Sequence, residues 1–289
     1  MKAFKEFIEP TQPDTVSIIA VGDIFPGRNV EHKALGLGYG YPFANIGNHL
    51  ACDLLIGNLE GVVDDIYGTQ IRLKTTPRLS MSKDWIPELK KVGFNVLNVA
   101  NNHFCDYGKE GAVNTIHVLA DNGIPTVGCW GDFWIEERNG ISVGFIGCID
   151  DKLFGAEKAV GLQGLDDVED AIKAAKHWVD VLIVQVHTGK EYATTETQEQ
   201  VDLARRLVNA GANAVIMHHP HVIQPCEIYK GAFIAYSLGN WIFDQDQEGT
   251  QTGLSVKVRF NKSGDLLKIA TSKHTIDNYV INYQPWEEF

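Results

Sequence analysis

Short, continuous apolar runs recur along the chain, and most of them end in polar residues. The first run, VSIIAVG, covers Val16–Gly22 and is followed by Asp23. A run of this length without alternation is typical of a strand that is buried on both faces of a sheet. Four later runs have the same form and predict further buried strands: Asp53–Asn58, Phe94–His103, Val179–His187 and Ala212–His219.

Segments between these runs carry apolar residues three and four positions apart, which predicts amphipathic helices. Ser82–Val92 begins with a residue type that caps helices, and Lys109–Asn122 ends at an Asn-Gly pair. Thr197–Ala210 shows the same spacing and is followed by Gly211. Because strands and helices alternate along the chain, the sequence predicts an α/β architecture.

The later part of the chain has a different pattern, in which apolar runs follow one another with only turns between them. This pattern predicts neighbouring antiparallel strands. The runs are Gly140–Cys148, Ala232–Leu238, Gly253–Phe260 and Leu266–Thr275. Two mixed sheets packed as a sandwich and flanked by helices accommodate both patterns. We find no internal repeat, so we predict one domain over 1–289, with an N-terminal extension at 1–14 and a C-terminal tail at 277–289.

Composition limits the classes of partner. The 289 residues include 25 Lys and Arg against 37 Asp and Glu, which gives a formal net charge of −12. A phosphate-backbone binder needs clustered basic residues, so we predict no nucleic-acid partner. Glu6, Glu9 and Asp14 interrupt any apolar core of a signal peptide, and no stretch approaches the ~20 apolar residues of a membrane helix. We therefore predict a cytoplasmic protein without direct membrane insertion.

Polar residues collect where the predicted strands end. Ligands bind beyond the carboxyl ends of strands in open α/β sheets, so five separate strands bring these side chains to one region. Asp, Glu, Asn and His without Cys suit a divalent ion such as Mn²⁺, Fe²⁺ or Zn²⁺ and argue against a structural zinc site. The residues are Asp23, Asn58, Glu60, Asn101, Asn102, His103, Asp106, His187, His218, His219 and His221.

Five segments carry a family resemblance. They are VGDIFPGR (Val21–Arg28), GNLEG (Gly57–Gly61), NVANNHFCDYG (Asn98–Gly108), VQVHTGKEY (Val184–Tyr192) and HHPHVIQPCEIYKGAFIAYSLGNWIFD (His218–Asp244). With them the sequence resembles the poly-γ-glutamate capsule-biosynthesis (CapA-type) family, a branch of the calcineurin-like metallophosphoesterases. The resemblance implies a four-layer α/β/β/α sandwich with a two-metal site at the strand ends, and hence one or two divalent ions as cofactors.

The resemblance also implies metal ligands. Asp23 matches the first metal-binding aspartate, and Gly57–Gly61 occupies the place of the usual bridging aspartate. Either Asn58 or Glu60 reaches the metals, and we prefer Glu60 because a carboxylate bridges two cations better than an amide does. The other implied ligands are Asn102, His187, His219 and His221.

Catalytic roles follow from the same resemblance. His103 matches the histidine that stabilises or protonates the leaving group, and Asp106 is placed to orient it and raise its basicity. The usual first motif, Asp-x-His, has Phe25 in its third position here, so one metal site lacks an expected nitrogen ligand. Arg28 has two alternatives of equal weight: its guanidinium binds a carboxylate or phosphate of the substrate, or it forms a structural salt bridge on the surface.

These residues favour a metal-dependent hydrolase in which an activated water attacks a phosphoester. The same groups also suit hydrolysis of a γ-glutamyl amide or epimerisation of a peptide residue. A non-catalytic binding or assembly factor for poly-γ-glutamate is the alternative from another class, and the loss of a histidine at Phe25 supports it. The predicted partners are accordingly a small-molecule or peptide/γ-glutamyl substrate and the capsule-synthesis machinery.

Overall fold

A computed structural model describes residues 14–64, 78–130, 133–150 and 162–289. The predicted N-terminal extension therefore lies outside the described residues, except for Asp14. Five helices are present in the described ranges: α1 (Arg28–Leu37), α2 (Trp85–Val92), α3 (Gly108–Asp121), α4 (Val168–Ala175) and α5 (Gln198–Ala210). A single 3₁₀ turn, Tyr41–Phe43, follows α1.

The larger sheet is mixed. Its strands are β1 (Thr15–Ile24), β2 (Leu54–Leu59), β5 (Phe94–Asn98), β6 (Thr126–Val127), β13 (Asn240–Ile242), β14 (Thr252–Asn261), β15 (Leu266–Asp277), β16 (Val280–Tyr283) and β17 (Glu287–Glu288). The main order is β16-β15-β14-β1-β2-β5-β6, with β13 beside β1 and β17 beside β15. β1, β2, β5 and β6 run parallel, whereas β14 and β15 pair antiparallel.

The smaller sheet is also mixed. Its strands are β7 (Trp134–Arg138), β8 (Ile141–Ile149), β9 (Val181–His187), β10 (Ala214–His218), β11 (Cys226–Tyr229) and β12 (Ala232–Ala235), in the order β11-β12-β10-β9-β8-β7. β8, β9, β10 and β12 run parallel. A separate two-stranded sheet pairs β3 (Val62–Val63) with β4 (Ser80–Met81).

Three apolar cores separate four layers. The first core lies between the larger sheet and α1, α2 and α3, the second lies between the two sheets, and the third lies between the smaller sheet and α4 and α5. One strand serves two cores, because Ile19 and Val21 of β1 face the helices whereas Ile18 and Ala20 face the other sheet. Such two-faced burial explains the continuous apolar runs. The layers are therefore α/β/β/α, which confirms the predicted fold class.

Helix boundaries follow local capping. Thr197 caps α5 through a capping box in which its side chain accepts from Gln200 N and the Gln200 side chain accepts from Thr197 N. The predicted helix at Ser82 begins three residues later, at Trp85, because the Ser82 hydroxyl accepts a hydrogen bond from Asp84 N in a turn before the helix.

The C-terminal segment differs from the predicted tail at 277–289. Residues 280–283 form β16 and pair with the end of β15, and Glu287–Glu288 pair with the middle of β15. Trp286 packs against the first core, and its Nε1 donates to His49 O at 3.1 Å. These residues extend the larger sheet. None of the helices in the described part of the chain has the length and apolar character needed to cross a membrane.

Candidate metal centre

Strand register brings the polar strand ends together. Asp23 of β1 lies opposite Asn58 of β2, and His187 of β9 lies opposite His218 of β10. The two sheets meet at this level, since His218 Nδ1 lies 3.5 Å from Asp23 Oδ1. Parallel strands end at one edge of a sheet, so the register gathers side chains within each sheet, and the packing of the two sheets brings both sets together.

Glu60 is the most unusual carboxylate of the cluster. Its side chain is fully buried, and neither carboxylate oxygen accepts a hydrogen bond from any residue that the structure describes. His221 Nε2 and His103 Nε2 lie 3.6 and 3.9 Å from Glu60 Oε1. Burial raises the pKa of Glu60 to about 7, against the lowering effect of charge on His221. A buried carboxylate without donors fits a site built for a cation.

Asn58 has a different position in the network. Its Nδ2 donates to Asp23 Oδ1 at 2.8 Å, and its Oδ1 accepts from Asn98 Nδ2 at 3.0 Å. Asn101 Nδ2 is 3.4 Å from the same oxygen. Because its amide is engaged on both atoms, the geometry favours Glu60 as the ligand and gives Asn58 the task of orienting Asp23.

The His-His-Pro-His turn is held in an uncommon backbone conformation. His219 and His221 have φ values of 106° and 60°, in the left-handed region that non-glycine residues rarely occupy. Such residues cost about 1–3 kcal/mol each and cluster at functional sites. His219 N donates to Asp23 Oδ2 at 3.3 Å, and His221 Nδ1 lies 2.9 Å from Asn240 Oδ1 and 3.2 Å from Asp23 Oδ2.

Electrostatics keep most of the histidines neutral. Burial, followed by the neighbouring histidines, lowers the pKa of His187 well below its usual value, and lowers that of His219 to about 3. Burial also opposes charge on His221, but Glu60 and Asp23 outweigh it and raise the His221 pKa to about 9. Burial likewise opposes the ionised form of Asp23, but the hydrogen bond and charge of His221, the charge of His218 and the hydrogen bond from Asn58 together outweigh it, so the pKa of Asp23 is lowered. The neutral imidazoles of His187 and His219 and the ionised carboxylate of Asp23 are in the forms that bind metals, whereas metal binding at His221 releases the proton of its ring.

Two groups of donor atoms have the spacing of metal ligands. One atom each from Asp23, Glu60 and His187 lie within 4.8 Å of one another. His187 Nε2 also lies 2.7 Å from Asn102 Oδ1, which brings that amide to the first group. Ligands at 2.0–2.2 Å from one ion lie up to about 4.4 Å apart, so small rearrangements suffice for coordination. These residues therefore fit a divalent ion. The second group is Glu191, His219 and His221.

His103 lies at the rim of the cluster, with a side chain that is 15% exposed. Asp106 Oδ2 is 2.8 Å from His103 Nδ1, which is the contact predicted from the sequence. The same oxygen accepts from Leu79 N at 2.6 Å, which fixes its position. His103 Nε2, on the other side of the ring, lies 3.9 Å from Glu60 Oε1.

Arg28 is buried, and not on the surface as its salt-bridge alternative proposes. Its guanidinium forms an ion pair with Asp244, whose side chain is inaccessible to solvent. The guanidinium also lies 5.1 Å from the ring centroid of Phe25 and 5.6 Å from that of Phe243. A buried partner and two flanking rings favour a structural role for this cation over substrate binding.

Phe25 belongs to the same buried group. Its ring packs on Phe243 with centroids 5.0 Å apart, and Phe243 packs on the His221 imidazole at 5.2 Å. Phe25 is therefore one ring removed from the ligand cluster and belongs to the first apolar core.

Sequence reasoning missed three residues of this region. Asn240, the first residue of β13, contacts His221, and Asp244, two residues after that strand, pairs with Arg28, and no local spacing signals those pairs. Glu191 is the third, and it does have a signal. It is an acidic residue four positions after His187, within the segment VQVHTGKEY.

Comparisons with known proteins agree with this geometry. A family model described as bacterial capsule synthesis protein PGA_cap matches residues 17–245. The chain belongs to this bacterial capsule synthesis family. The chain is similar to "PGA biosynthesis protein CapA" of Bacillus subtilis (strain 168), at 33% identity over 279 residues, covering 91% of this chain and 72% of the relative. "Capsule biosynthesis protein CapA" of Bacillus anthracis is 30% identical over 275 residues, covering 89% and 67% respectively.

The fold of this capsule synthesis family member resembles that of solved metallophosphoesterases. A 5′-nucleotidase precursor from Thermus thermophilus superposes with a TM-score of 0.57 at 15% identity, covering 93% of this chain and 55% of the other. At that identity the similarity shows the fold alone. Family and fold together confirm the resemblance that the five segments carry.

Proposed function

We propose that this protein is a metal-dependent hydrolase, in which a water activated at the strand-end centre attacks a phosphoester. The observation that carries the proposal is the Glu60 carboxylate, fully buried and without a hydrogen-bond donor among the described residues, beside His221 and His103. A buried carboxylate that accepts no hydrogen bond carries a desolvation cost. A divalent cation removes that cost.

The ligands in this proposal are Asp23, Glu60, Asn102, His187, His219 and His221. Divalent ions at such a centre polarise a phosphoryl oxygen and lower the pKa of a bound water towards neutrality. Mn²⁺, Fe²⁺ and Zn²⁺ all suit this mixture of nitrogen and oxygen donors. Asn58 holds Asp23 through its amide hydrogen, and Asn240 holds the ring of His221 at Nδ1.

His103 supplies the proton for the leaving oxygen. It is partly exposed, so its Nε2 can reach a substrate, while Asp106 holds Nδ1 and fixes the orientation of the ring. A positioned acid of this kind contributes about 10²–10⁴-fold to a rate. Asp106 is a positioning residue. Its Oδ2 contacts His103 and the Leu79 amide, so Asp106 affects the substrate only through His103.

A second candidate reaction uses the same residues on a different bond. The Bacillus subtilis relative is named for PGA biosynthesis, and the family resemblance implies poly-γ-glutamate as the polymer. Hydrolysis of a γ-glutamyl amide would need the same polarised oxygen and the same proton donor at His103. The two reactions differ in their products, because one releases phosphate and the other releases an amine.

The test begins with protein purified without chelator, with metal content per chain measured by elemental mass spectrometry. Phosphate release from phosphomonoesters and amine release from γ-glutamyl peptides are then assayed before and after chelation, and after Mn²⁺ is restored. We expect chelation to abolish phosphate release and Mn²⁺ to restore it. Release of amine without release of phosphate would contradict the phosphoesterase and support the γ-glutamyl amidase. Bound metal with neither product would contradict hydrolysis and leave an epimerase or a binding factor.

The variant His103→Ala tests the role of the proton donor. We expect activity to fall about 10²–10⁴-fold while metal content stays at the parent value, because His103 holds no ligand position in the proposal. His117→Ala, at an exposed position on α3, is the matched control and should behave as the parent. Unchanged activity in His103→Ala would remove His103 from the mechanism.

A further inference from the structure

Glu191 lies beside two histidines of the candidate centre, although the family resemblance assigns it no role as a metal ligand. One carboxylate oxygen of Glu191 and one nitrogen each of His219 and His221 lie within 4.8 Å of one another. Both histidines are buried, whereas Glu191 is exposed. A carboxylate and two imidazoles are a donor set that holds divalent ions and leaves positions open for other ligands.

The loop that carries Glu191 is packed onto the turn that carries the histidines. Tyr192 N donates to Pro220 O at 2.9 Å, between His219 and His221 in sequence. Gly189 has φ +113°, and a Cβ at that position would lie 3.1 Å from Pro220 Cγ. The loop and the turn are therefore held together by contacts on both sides of Glu191, and the approach of the carboxylate to the imidazoles is built into the fold.

The first motif lacks a histidine at position 25, so the centre has room for a donor from another element such as Glu191. Where a histidine would provide nitrogen, Phe25 packs in the apolar core and the nearby Arg28 is paired with Asp244. That part of the centre therefore lacks the donor that the usual motif would provide. Glu191 brings an oxygen donor to the centre from another element, the loop between β9 and α5.

We propose that Glu191 is a ligand of a second divalent ion, which it holds together with His219 and His221. The inference rests on the proposed metal-dependent function and deepens it, because it assigns a further oxygen ligand to the centre. The first ion belongs to Asp23, Glu60 and His187.

The test is a metal titration of chelator-treated protein with Mn²⁺ by calorimetry, with the bound metal counted by elemental mass spectrometry. The parent should bind two ions. Glu191→Gln keeps the size of the side chain and removes its charge, and we expect it to bind one ion as the parent does and to lose the other or bind it at least tenfold more weakly. Glu199→Gln, an exposed acid at the start of α5, is the matched control and should bind two.

The melting temperature of the metal-free protein separates ligand loss from misfolding. Glu191 is exposed, so the metal-free variant should melt with the metal-free parent. Two ions bound by Glu191→Gln with parental affinity would overturn the inference, as would a parent that binds fewer than two. Its failure is distinguishable from that of the proposed function, because metal counting needs no turnover. If the parent binds two ions but hydrolyses no substrate, the proposed hydrolase fails and Glu191 can still be a ligand. If the parent hydrolyses substrate but binds only one ion, the proposed hydrolase stands and the assignment of Glu191 fails.

Discussion

Two groups of residues adjoin the candidate metal centre and use charge in opposite ways. The buried cluster consists of Phe25, Arg28, Phe243 and Asp244, and its two charges neutralise each other between aromatic rings. The accessible cluster consists of His103, Asp106 and Glu191, whose polar atoms lie near ligands of the centre and near solvent. Both clusters adjoin His221, since Phe243 packs on its ring and Glu191 lies beside it.

The contrast separates stability from chemistry. In an ion pair that is excluded from water, each charge is stabilised by the other. Removal of one partner leaves an uncompensated buried charge, which lowers the free energy of unfolding. A group at a wet rim can change partners and exchange protons with a substrate. We therefore expect variants of the buried cluster to alter the free energy of unfolding, and variants of the accessible cluster to alter turnover or metal binding.

The largest expected effect is on stability, in Asp244→Asn. The variant leaves the Arg28 guanidinium buried beside a neutral amide, and loss of one partner of a buried pair costs about 3–5 kcal/mol. Urea unfolding of the metal-free protein, followed by circular dichroism, gives the change in the free energy of unfolding. Turnover per folded molecule should stay close to that of the parent.

An exposed ion pair provides the control for Asp244→Asn. Asp170 and Lys173 on α4 are 2.9 Å apart with side chains that are 84% and 59% exposed. Exposed pairs contribute little because water screens them, so Asp170→Asn should leave the urea midpoint in place. Equal midpoints for both variants would show that burial does not distinguish the two pairs, and the proposed division between the clusters would fail.

In the accessible cluster, Asp106→Asn should lower turnover and leave the free energy of unfolding close to that of the parent. The amide keeps an oxygen for the Leu79 N–H but loses the charge that orients and polarises His103. Residues that hold a catalytic or ligating group through a hydrogen bond typically contribute about 10–100-fold. We expect kcat to fall by about that factor, with metal content unchanged.

The readout for Asp106→Asn must exclude a structural cause. The pH dependence of kcat should change its shape, because Asp106 acts through the protonation of His103, whereas KM and the urea midpoint should move little. A loss of metal or a large fall in stability with an unaltered pH profile would place Asp106 among the structural residues and not among the positioning ones.

Much of the layered fold could be predicted from sequence because its signals are local. The continuous apolar run of β1 predicts burial on two faces, and the Thr197 capping box marks the start of α5. The ends of β9 and β10 could be located in the same way, so the gathering of His187 and His218 at one edge follows from parallel register.

The partners of side chains could not be predicted, since they depend on contacts between distant parts of the chain. Arg28 and Asp244 are 216 residues apart, and only the packed structure shows that they pair in the interior. The choice between Asn58 and Glu60 likewise depends on Asn98, which occupies the oxygen of the Asn58 amide. The C-terminal strands were missed because short edge strands with polar residues have little apolar periodicity.

The smallest of these effects, in Arg28→Lys, separates the two alternatives for Arg28. Lysine keeps the charge that neutralises Asp244 but lacks the planar guanidinium that lies against Phe25 and Phe243. Loss of these ring contacts should lower the free energy of unfolding by about 1–2 kcal/mol, less than in Asp244→Asn. Because the cation faces Asp244 and not the rim, kcat and KM should both stay near the parent values. An increase of about tenfold or more in KM, with stability unchanged, would instead assign Arg28 to the substrate and move it from the buried cluster to the accessible one.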